Sequence, residues 1–537
     1  MRNTTDMKIK FLGIIPQYKT RNLNLSPQEI AAFSGLLTFK GDSVEDLIDE
    51  AQRKHQDITK KVKLILRKSS LRGHASMATM PVFCFSFEAS KMLGSMLTGI
   101  THSSALMHSG RRAEVSKAHN VCPAAIFKNF EAKELYEKAS NLNIKVFNDL
   151  LKLGVIKDEA GKILHYGTYG TGIITLPAES LATFAREYEL EKKWMPEEGG
   201  ILLKAIEKEM RGLGIDLLFA TRDAAPKNTY PYPNLFKDPK RNHLVRDIKA
   251  DFGTEEDEVR VFNVDALLGR GFKERVNEIK KYQEELFLEK EKLRKNWRKL
   301  LDLKRKLVRD YQNAVNVKTL SNVSWRVWRD KKRHRTAPVT TESIYYCIDR
   351  AWSVIKKHEK DFNKKARLSE DALDEIDKVF AIPSKLRLKE KTLKLYMRAL
   401  FTSMKAYNDL LKLGIKEKDA VFVIPRAIRI DMVQEYNLYN LVDGYYQLRS
   451  CPTADEQIFR QTKEEIRQLK EILDYKGLKE LSYLIQPKCV NAGFCPEEET
   501  CGFILGFVDG YDSKFHAEMK EDLEKGFKER LGKINKG

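Results

Sequence analysis

The chain has 537 residues, of which 42% are hydrophobic and 32% are charged. That length and hydrophobic content predict two to four domains with a sizeable core, which excludes a disordered chain. The net charge of +20 favours anionic partners, such as nucleotides, phosphate-bearing cofactors or nucleic acid.

The location of the protein is indicated by its apolar segments and cysteines. The first residues, MRNTTDMKIKF, lack the apolar run of a secretory signal peptide. The most apolar stretch, residues 77–100, is broken by Glu88 and Lys91 and does not suit a membrane span. We therefore expect a cytoplasmic protein with no membrane partner, whose seven cysteines are thiols or metal ligands rather than disulfides.

Hydrophobic periodicity predicts the elements of the first half in chain order. They are a strand over residues 8–12, helices over 27–32 and 44–55, a buried strand over 81–87, a helix over 90–100 and a helix over 133–154 that ends at a glycine cap.

Two further segments are predicted from composition. Residues 216–250 predict an irregular linker, because residues 224–239 are rich in Pro, Asn and Tyr. Residues 272–315 predict one long, charged helix. We interpret it as an exposed helix with Glu–Lys pairs rather than a nucleic-acid surface, since acidic residues occur throughout it.

An internal repeat divides the chain. Residues 147–155 (FNDLLKLGV) recur as residues 407–415 (YNDLLKLGI), with seven consecutive identities and a shared glycine stop. The repeat predicts a first copy over 1–215, the linker over 216–250, a second copy over 251–480 and a cysteine-containing extension over 481–537.

Each copy contains a serine that opens a predicted motif helix, Ser90 in the first and Ser324 in the second. Nine residues after Ser324 comes the triplet Arg333-His334-Arg335, whereas Gly99-Ile100-Thr101 holds that place in the first copy. Beyond this point the first copy continues with Ser104, Ser109 and Arg111, and the second with Pro338, Ser343 and Tyr345.

In these motifs the chain resembles the flavin-dependent thymidylate synthases. Their signature is Arg-His-Arg-x-x-Ser-x-Asn-x-x-Ser-x-Arg, with a serine nine residues before it. The second copy also follows the later order of the family, with Ile424-Pro425 as the turn, then Asn437 and Leu448-Arg449. It departs from the family pattern at Tyr439 and Asp443. In the first copy, the positions that correspond to these later family elements read His165, Pro177, Glu179 and Tyr188.

The resemblance implies a fold and a set of binding residues. The fold is a helix-rich α+β arrangement of two tandem copies, each a small sheet packed with helices. The FAD-binding residues are Arg333, His334, Arg335 and Asn437. Arg449 is the catalytic residue that engages the pyrimidine, and the dUMP-binding residues are Ser104, Ser109, Arg111 and Ser343.

The activity implied is the reductive methylation of dUMP to dTMP, with FAD as cofactor and with methylenetetrahydrofolate and NADPH as co-substrates. Two alternatives remain open. One is flavin-dependent modification of another pyrimidine nucleotide or of uridine in RNA. The other is a non-catalytic protein that binds nucleotide or nucleic acid on a decayed scaffold.

The two copies retain different parts of the signature. The first copy keeps the residues expected to bind the nucleotide phosphate, and the second copy keeps those expected to bind the flavin and the pyrimidine. One hypothesis is therefore a composite site to which both copies contribute. Because active sites of the family are shared between subunits of a homotetramer, a homodimer of this chain would then form a pseudo-tetramer. The alternative is a decayed first copy, in which Ser109 and Arg111 are ordinary polar residues.

Four cysteines near the C-terminus suggest a second kind of site. Cys451, Cys489, Cys495 and Cys501 could close a tetrahedral zinc site or hold an iron–sulfur cluster. Their spacing matches no short metal motif, so free or redox-active thiols remain an alternative.

Overall fold

The computed structural model describes residues 1–19, 24–108, 115–225, 230–241, 243–252, 258–365 and 367–535. It contains two compact units. Unit 1 comprises Met1–His243, Ser324–Arg333 and Thr341–Ile430, and unit 2 comprises Leu244–Val323, His334–Thr340 and Asp431–Gly537. The compact units are therefore interleaved along the chain and do not coincide with the two copies of the repeat.

Helices predominate over strands. The strands are β1 (Arg2–Asn3), β2 (Lys8–Ile15), β3 (Tyr18–Lys19), β4 (Asn24–Leu25), β5 (Val82–Ser90), β6 (Ser104–Met107), β7 (Val121–Cys122), β8 (Tyr169–Pro177), β9 (Val259–Ala266), β10 (Val315–Ser324), β11 (Val339–Thr341) and β12 (Arg429–Asn437). The helices up to residue 252 are α1 (Pro27–Lys40), α2 (Val44–Arg53), α3 (Ile58–Lys68), α4 (Ser76–Thr79), α5 (Lys91–Leu97), α6 (Ala124–Phe127), α7 (Phe130–Lys152), α8 (Lys157–Ala160), α9 (Ala178–Leu190), α10 (Glu197–Leu213), α11 (Asp216–Ala224) and α12 (His243–Phe252).

The later helices are α13 (Arg270–Phe287), α14 (Lys290–Tyr311), α15 (Trp325–Lys331), α16 (Ile344–Lys365), α17 (Glu370–Asp377), α18 (Ser384–Arg387), α19 (Glu390–Lys412), α20 (Glu417–Ala420), α21 (Leu438–Val442), α22 (Tyr445–Arg449), α23 (Glu456–Tyr475), α24 (Lys479–Leu484), α25 (Lys488–Ala492) and α26 (Ser513–Ile534). The helix-rich α+β class is thus confirmed. Within the described ranges, no helix combines the length and the apolarity that crossing a membrane requires.

The sheet of unit 1 has the order β2-β5-β8-β6, with every neighbouring pair antiparallel. In its second strand, Phe83, Phe85 and Phe87 alternate with less buried residues and are themselves buried. This period-two pattern directs one face of the strand into the core, as expected for an antiparallel strand packed on one side.

The sheet built from β9 to β12 has the same topology. Its order is β9-β10-β12-β11. When the four strands of each sheet are numbered in chain order, both sheets have the spatial order first, second, fourth, third. Two sheets with the same unusual order, each holding its motif serine at the end of the second strand, indicate that the two copies are versions of one fold.

The motif serines have the same local role in both copies. Ser90 precedes α5 and accepts a hydrogen bond from the backbone N–H of Met92, and Ser324 precedes α15 and accepts from that of Val327. A serine at this position satisfies one of the free N–H groups of a helix start. The two serines on which the copies are aligned thus both cap the start of a helix.

The repeated sequence forms the C-terminal ends of α7 and α19, two helices of 23 residues that pack against each other in unit 1. Asn143 of α7 and Ser403 of α19 lie 260 residues apart and exchange hydrogen bonds of 2.9 and 3.1 Å. His165 and Pro425, at the same separation, form an antiparallel bridge. Because equivalent positions meet each other, these parts of the two copies are related by an approximate two-fold axis.

Two predicted segments differ from the structure. The single helix expected over 272–315 is two helices, α13 and α14, separated at Leu288 and Glu289. The break lets the buried faces of both helices join one hydrophobic cluster, and this burial outweighs the helix propensity of the charged sequence. The predicted irregular linker contains α11 and part of α12, and the described residues 230–238 between them have irregular backbone.

Candidate functional site

Arg449 and His334 form the centre of the candidate site, in unit 2. The Nε and Nη2 atoms of Arg449 lie 3.0 and 2.7 Å from Nε2 of His334. A guanidinium group has donors and no acceptor, so Nε2 must accept both contacts. The geometry thus requires an imidazole without a proton on Nε2, which leaves Nδ1 as the protonated nitrogen in the neutral ring.

Aromatic packing holds this pair in place. The ring of Tyr445 meets that of His334 edge-on, with centroids 4.9 Å apart and an interplanar angle of 81°. Tyr445 is buried and packs in turn on Tyr436 and Tyr446. Since Tyr445 and Arg449 share the short helix α22, one helix both supports the imidazole and supplies its guanidinium partner.

A chain of amides fixes the loop that follows His334. The Asn437 side chain caps α21, where its Oδ1 accepts from the backbone N–H of Asn440 at 3.2 Å and from the Asn440 side chain at 2.8 Å. Asn440 also donates to the Thr336 carbonyl at 2.8 Å and accepts from the Thr336 hydroxyl at 2.9 Å. The predicted flavin residue Asn437 is thereby connected to the Arg-His-Arg-Thr loop.

Asn440 is a residue that the motif comparison missed. Asn440 is fully buried, and it connects Asn437 at the start of α21 to Thr336 in the loop after His334. The available signal was its position three residues after Asn437, the spacing at which a helix cap reaches the first turn.

The other predicted residues have different environments. Arg333 and Arg335 are exposed, and Arg333 belongs to unit 1. Ser104 is exposed at the start of β6, where it pairs with Thr175. Exposure leaves these three side chains available to a ligand.

The remaining dUMP-binding predictions receive less support. Ser343 is buried, and its hydroxyl donates to the Lys237 carbonyl at 2.6 Å and accepts from the N–H of Tyr345 at 3.3 Å. The hydroxyl is therefore engaged at the start of α16. Ser109 and Arg111 lie outside the described residues.

In the first copy, the positions equivalent to the site are used for packing. Glu179, at the place of Tyr439, forms a two-point ion pair with Arg222 at 2.6 and 2.7 Å, and both side chains are fully buried. Ile100, at the place of His334, is also fully buried. Thr101, at the place of Arg335, donates to a backbone carbonyl at 2.8 Å. These side chains stabilise the fold of unit 1 and do not reproduce the flavin motif.

The four C-terminal cysteines do not form a metal site in this arrangement. Across the described ranges, no three His, Cys, Asp or Glu side chains are placed to hold a metal ion. Cys489 and Cys495 are buried in the hydrophobic cluster of unit 2, whereas Cys501 is exposed. Burial, and next the neighbouring Cys495, raise the pKa of the Cys489 thiol to about 11. The zinc or iron–sulfur prediction therefore finds no support in the geometry.

Comparison with known proteins relates the chain to one enzyme family. Its curated relatives include the flavin-dependent thymidylate synthases of Pyrococcus abyssi, 29% identical over 169 residues, and of Thermococcus onnurineus, 25% identical over 169 residues. Each alignment covers 31% of this chain and 59% or 58% of the relative. The chain thus spans about six-tenths of the length of the curated relatives it matches.

Similar solved structures include a UMP/dUMP methylase, PolB, from Streptomyces cacaoi bound with 5-Br dUMP, at 12% identity and a TM-score of 0.33, covering 42% of this chain and all of that one. They also include the flavin-dependent thymidylate synthase of Helicobacter pylori complexed with FAD and dUMP, at 13% identity and a TM-score of 0.27, covering 43% of this chain and all of that one. Scores this low support no structural argument.

The family model described as "Thymidylate synthase complementing protein" matches residues 23–189 and again residues 275–473. The two regions fall in the two copies of the repeat, in agreement with the matching sheet topologies. Because they cover more than half of the chain, the protein belongs to the family of thymidylate synthase complementing proteins.

Proposed function

We propose that this protein is an FAD-dependent thymidylate synthase-like enzyme that reductively methylates dUMP, with methylenetetrahydrofolate and NADPH as co-substrates. The observation that supports the proposal most is the contact between Arg449 and His334, at 3.0 and 2.7 Å. It joins the residue expected to engage the pyrimidine to the motif expected to bind the flavin. The two lie 115 residues apart in sequence.

The residues proposed for FAD are chemically suited to it. Arg333 and Arg335 are exposed, and guanidinium groups bind phosphate oxygens bidentately and stay charged at any working pH. His334 and Asn437 would contact the flavin end of the same motif. When bound, FAD supplies the hydride step, and the protein supplies binding and orientation.

Arg449 is proposed to act on the pyrimidine. A guanidinium placed at a pyrimidine carbonyl stabilises the negative charge that develops there when the ring is attacked. Its contacts with Nε2 of His334 restrict the orientation of the guanidinium before substrate arrives. A pre-oriented charge needs little reorganisation during the reaction, which makes this contact a positioning device as well as a structural one.

The phosphate of dUMP is proposed to bind Ser104, Ser109 and Arg111 of the first copy, with Ser343 as a further candidate from the motif. Ser104 is exposed and therefore accessible. Arg111→Ala tests this part separately. We expect at least a ~10-fold loss of dUMP affinity, because a charge-assisted phosphate contact is removed. Unchanged affinity would remove the first copy from the nucleotide site.

The proposed activity is tested with purified protein supplied with FAD, methylenetetrahydrofolate and NADPH. dUMP, UMP and a uridine-containing RNA are compared as substrates, with product identified by mass. We expect a gain of one methyl group on dUMP. Methylation confined to UMP or RNA would keep the flavin chemistry and replace the substrate, and absence of flavin binding would reject the enzyme.

A further inference from the structure

Unit 1 contains a group of four buried basic side chains, two of which lie over the ring of one tyrosine. Lys91, Arg326, Arg329 and Arg426 have exposed fractions of 3, 8, 7 and 1%. The Cζ atoms of Arg426 and Arg329 lie 4.8 and 5.5 Å from the ring centroid of Tyr166. We refer to these four basic residues as the basic cluster. None of them belongs to the residues that the family resemblance assigned to flavin or nucleotide.

The carboxylates around the basic cluster balance part of its charge. Arg326 pairs with Asp330 at 2.8 Å and lies 3.8 Å from Asp158. In the part of the chain that the structure describes, Lys91, Arg329 and Arg426 form no ion pair with a carboxylate. Among the described residues, these three buried basic side chains therefore have no carboxylate partner.

The hydrogen bonds of the two central arginines are also incomplete. Nη2 of Arg426 donates to the His165 carbonyl at 3.0 Å and to the Thr168 hydroxyl at 2.9 Å. Nη2 of Arg329 lies 3.3 Å from the sulfur of Met107. The Nε atoms of both arginines are buried without an acceptor among the described residues. Each guanidinium therefore keeps donor capacity for a further acceptor.

Burying such charges is unfavourable unless an anion compensates them, because the interior solvates ions far less well than water. The cost of burying positive charge is visible in the pKa of Lys91. Burial, and then the positive charges of Arg426, Arg329 and Arg326, lower the pKa of its amine to about 6. An arginine cannot relieve the cost by losing its proton in the working pH range, so a bound anion is the remaining compensation.

We propose that the basic cluster binds an oxyanion of the phosphate class. Two uncompensated guanidinium groups, together with a lysine amine whose charged form an anion would favour, suit a dianionic phosphate better than a monoanionic carboxylate, and the planar guanidinium fork matches phosphate oxygens. Gly94 allows Met107 and Arg329 to pack closely against its backbone, since a Cβ at this position would overlap Cε of Met107 and lie 3.1 Å from Nη2 of Arg329. The anion is either free phosphate or the phosphate group of a nucleotide.

Binding is tested by calorimetry and thermal unfolding of the full chain in chloride buffer, with inorganic phosphate, dUMP and deoxyuridine as probes. We expect phosphate or dUMP, but not deoxyuridine, to bind and to raise the Tm of the wild type by several degrees. Binding of inorganic phosphate identifies a free oxyanion site. A shift with dUMP alone that is lost in Lys91→Met and Arg329→Met identifies a nucleotide phosphate at the basic cluster. No shift with either anion overturns the proposal.

Lys91→Met and Arg329→Met locate the effect. Each should weaken anion affinity by ~10-fold or more, because a charged partner is lost. Without anion, each should be as stable as the wild type or more stable, since a buried basic side chain without a carboxylate partner among the described residues has been removed. Arg241→Met, which changes a half-exposed arginine paired with Glu191 in unit 1, is the matched control and should keep the full shift. Retention of the shift in both cluster variants overturns the proposal.

The test is independent of the proposed enzyme activity. Flavin absorbance of each variant is recorded in the same samples. If the protein binds the anion but no flavin, the anion site is established and the proposed enzyme activity is rejected. If it binds flavin but shows no anion-dependent stabilisation, only anion binding by the basic cluster is rejected.

Discussion

Asn143 and Ser403 occupy equivalent positions in the two copies and hydrogen-bond to each other in both directions, at 2.9 and 3.1 Å. Both side chains are fully buried. A buried reciprocal pair between equivalent positions places the approximate two-fold axis of α7 and α19 between these residues. The repeat in the sequence is thus also a packing relationship within unit 1.

Asn143→Ala should destabilise the protein by about 1–3 kcal/mol, because the Ser403 hydroxyl is left buried without its partner. Ser403→Ala should have a cost of the same order. The double variant should be less destabilised than the sum, with a coupling energy of ~1 kcal/mol, measured by denaturant unfolding. Asn408→Ala, in which the lost bond is to the carbonyl of Met404 in the same helix, is the control and should cost less. Additive effects would contradict the pairing.

Arg222→Met should be among the most destabilising single changes in unit 1. It leaves the Glu179 carboxylate buried without its partner, and breaking such a pair typically costs about 3–5 kcal/mol. The double change Glu179→Leu with Arg222→Met should recover most of the loss. A small effect of Arg222→Met on unfolding would show that Glu179, the first-copy position paired with Arg222, does not have the packing role assigned to it.

The sequence predicted features that depend on local pattern. The capping roles of Ser90 and Ser324 and the end of α7 at Gly154 follow from short-range rules and agree with the structure. The division between α13 and α14 was missed, because helix propensity continues through the break and burial of both helices decides the outcome.

Prediction of the site residues is limited in the same way, because local patterns do not show tertiary contacts. The motif located His334 and Arg449 separately, and their direct contact depends on the tertiary placement of α22. Ser343 matched a motif position, yet its hydroxyl is engaged by the Lys237 carbonyl, which no local pattern reveals. Sequence therefore predicted the chemical groups of the site better than their partners.

Asn440→Ala should lower flavin affinity by roughly 10-fold without removing a predicted flavin contact. The change releases the Thr336 backbone and side chain, and with them the loop that contains His334 and Arg335. Flavin affinity is measured by absorbance or fluorescence titration. Asn296→Ala, which changes an exposed asparagine of α14 in the same unit, is the control and should bind flavin normally. Wild-type affinity in Asn440→Ala would contradict the positioning role.

Glu198→Gln should change the pH dependence of stability. Burial raises the pKa of the Glu198 carboxyl from 4.5 to about 7, against the opposing hydrogen bonds from the hydroxyl and N–H of Ser90. Between these two values the unfolded chain has lost this proton and the folded chain keeps it. The free energy of unfolding should therefore fall as pH rises through this window, by up to ~3 kcal/mol in total.

The glutamine variant stays neutral and should lose this component of the slope. Glu197→Gln, which changes an exposed residue of the same helix, is the matched control and should keep the wild-type slope. Denaturant unfolding of all three proteins at pH 4.5 to 7.5 provides the measurement. Identical slopes in wild type and Glu198→Gln would show that the carboxyl does not stay protonated in the folded state.

The central claim is that Arg449, held by His334, acts on a pyrimidine beside a bound flavin. The most direct measurement is the release of tritium from C5 of labelled dUMP by the FAD-loaded protein. The wild type is compared with Arg449→Ala. The control is Arg467→Ala, which changes an exposed arginine of the same unit. We predict release by the wild type and by Arg467→Ala, and a loss of ~100-fold or more in Arg449→Ala with flavin still bound. Equal release by Arg449→Ala, or no release by any protein despite bound flavin, would contradict the account.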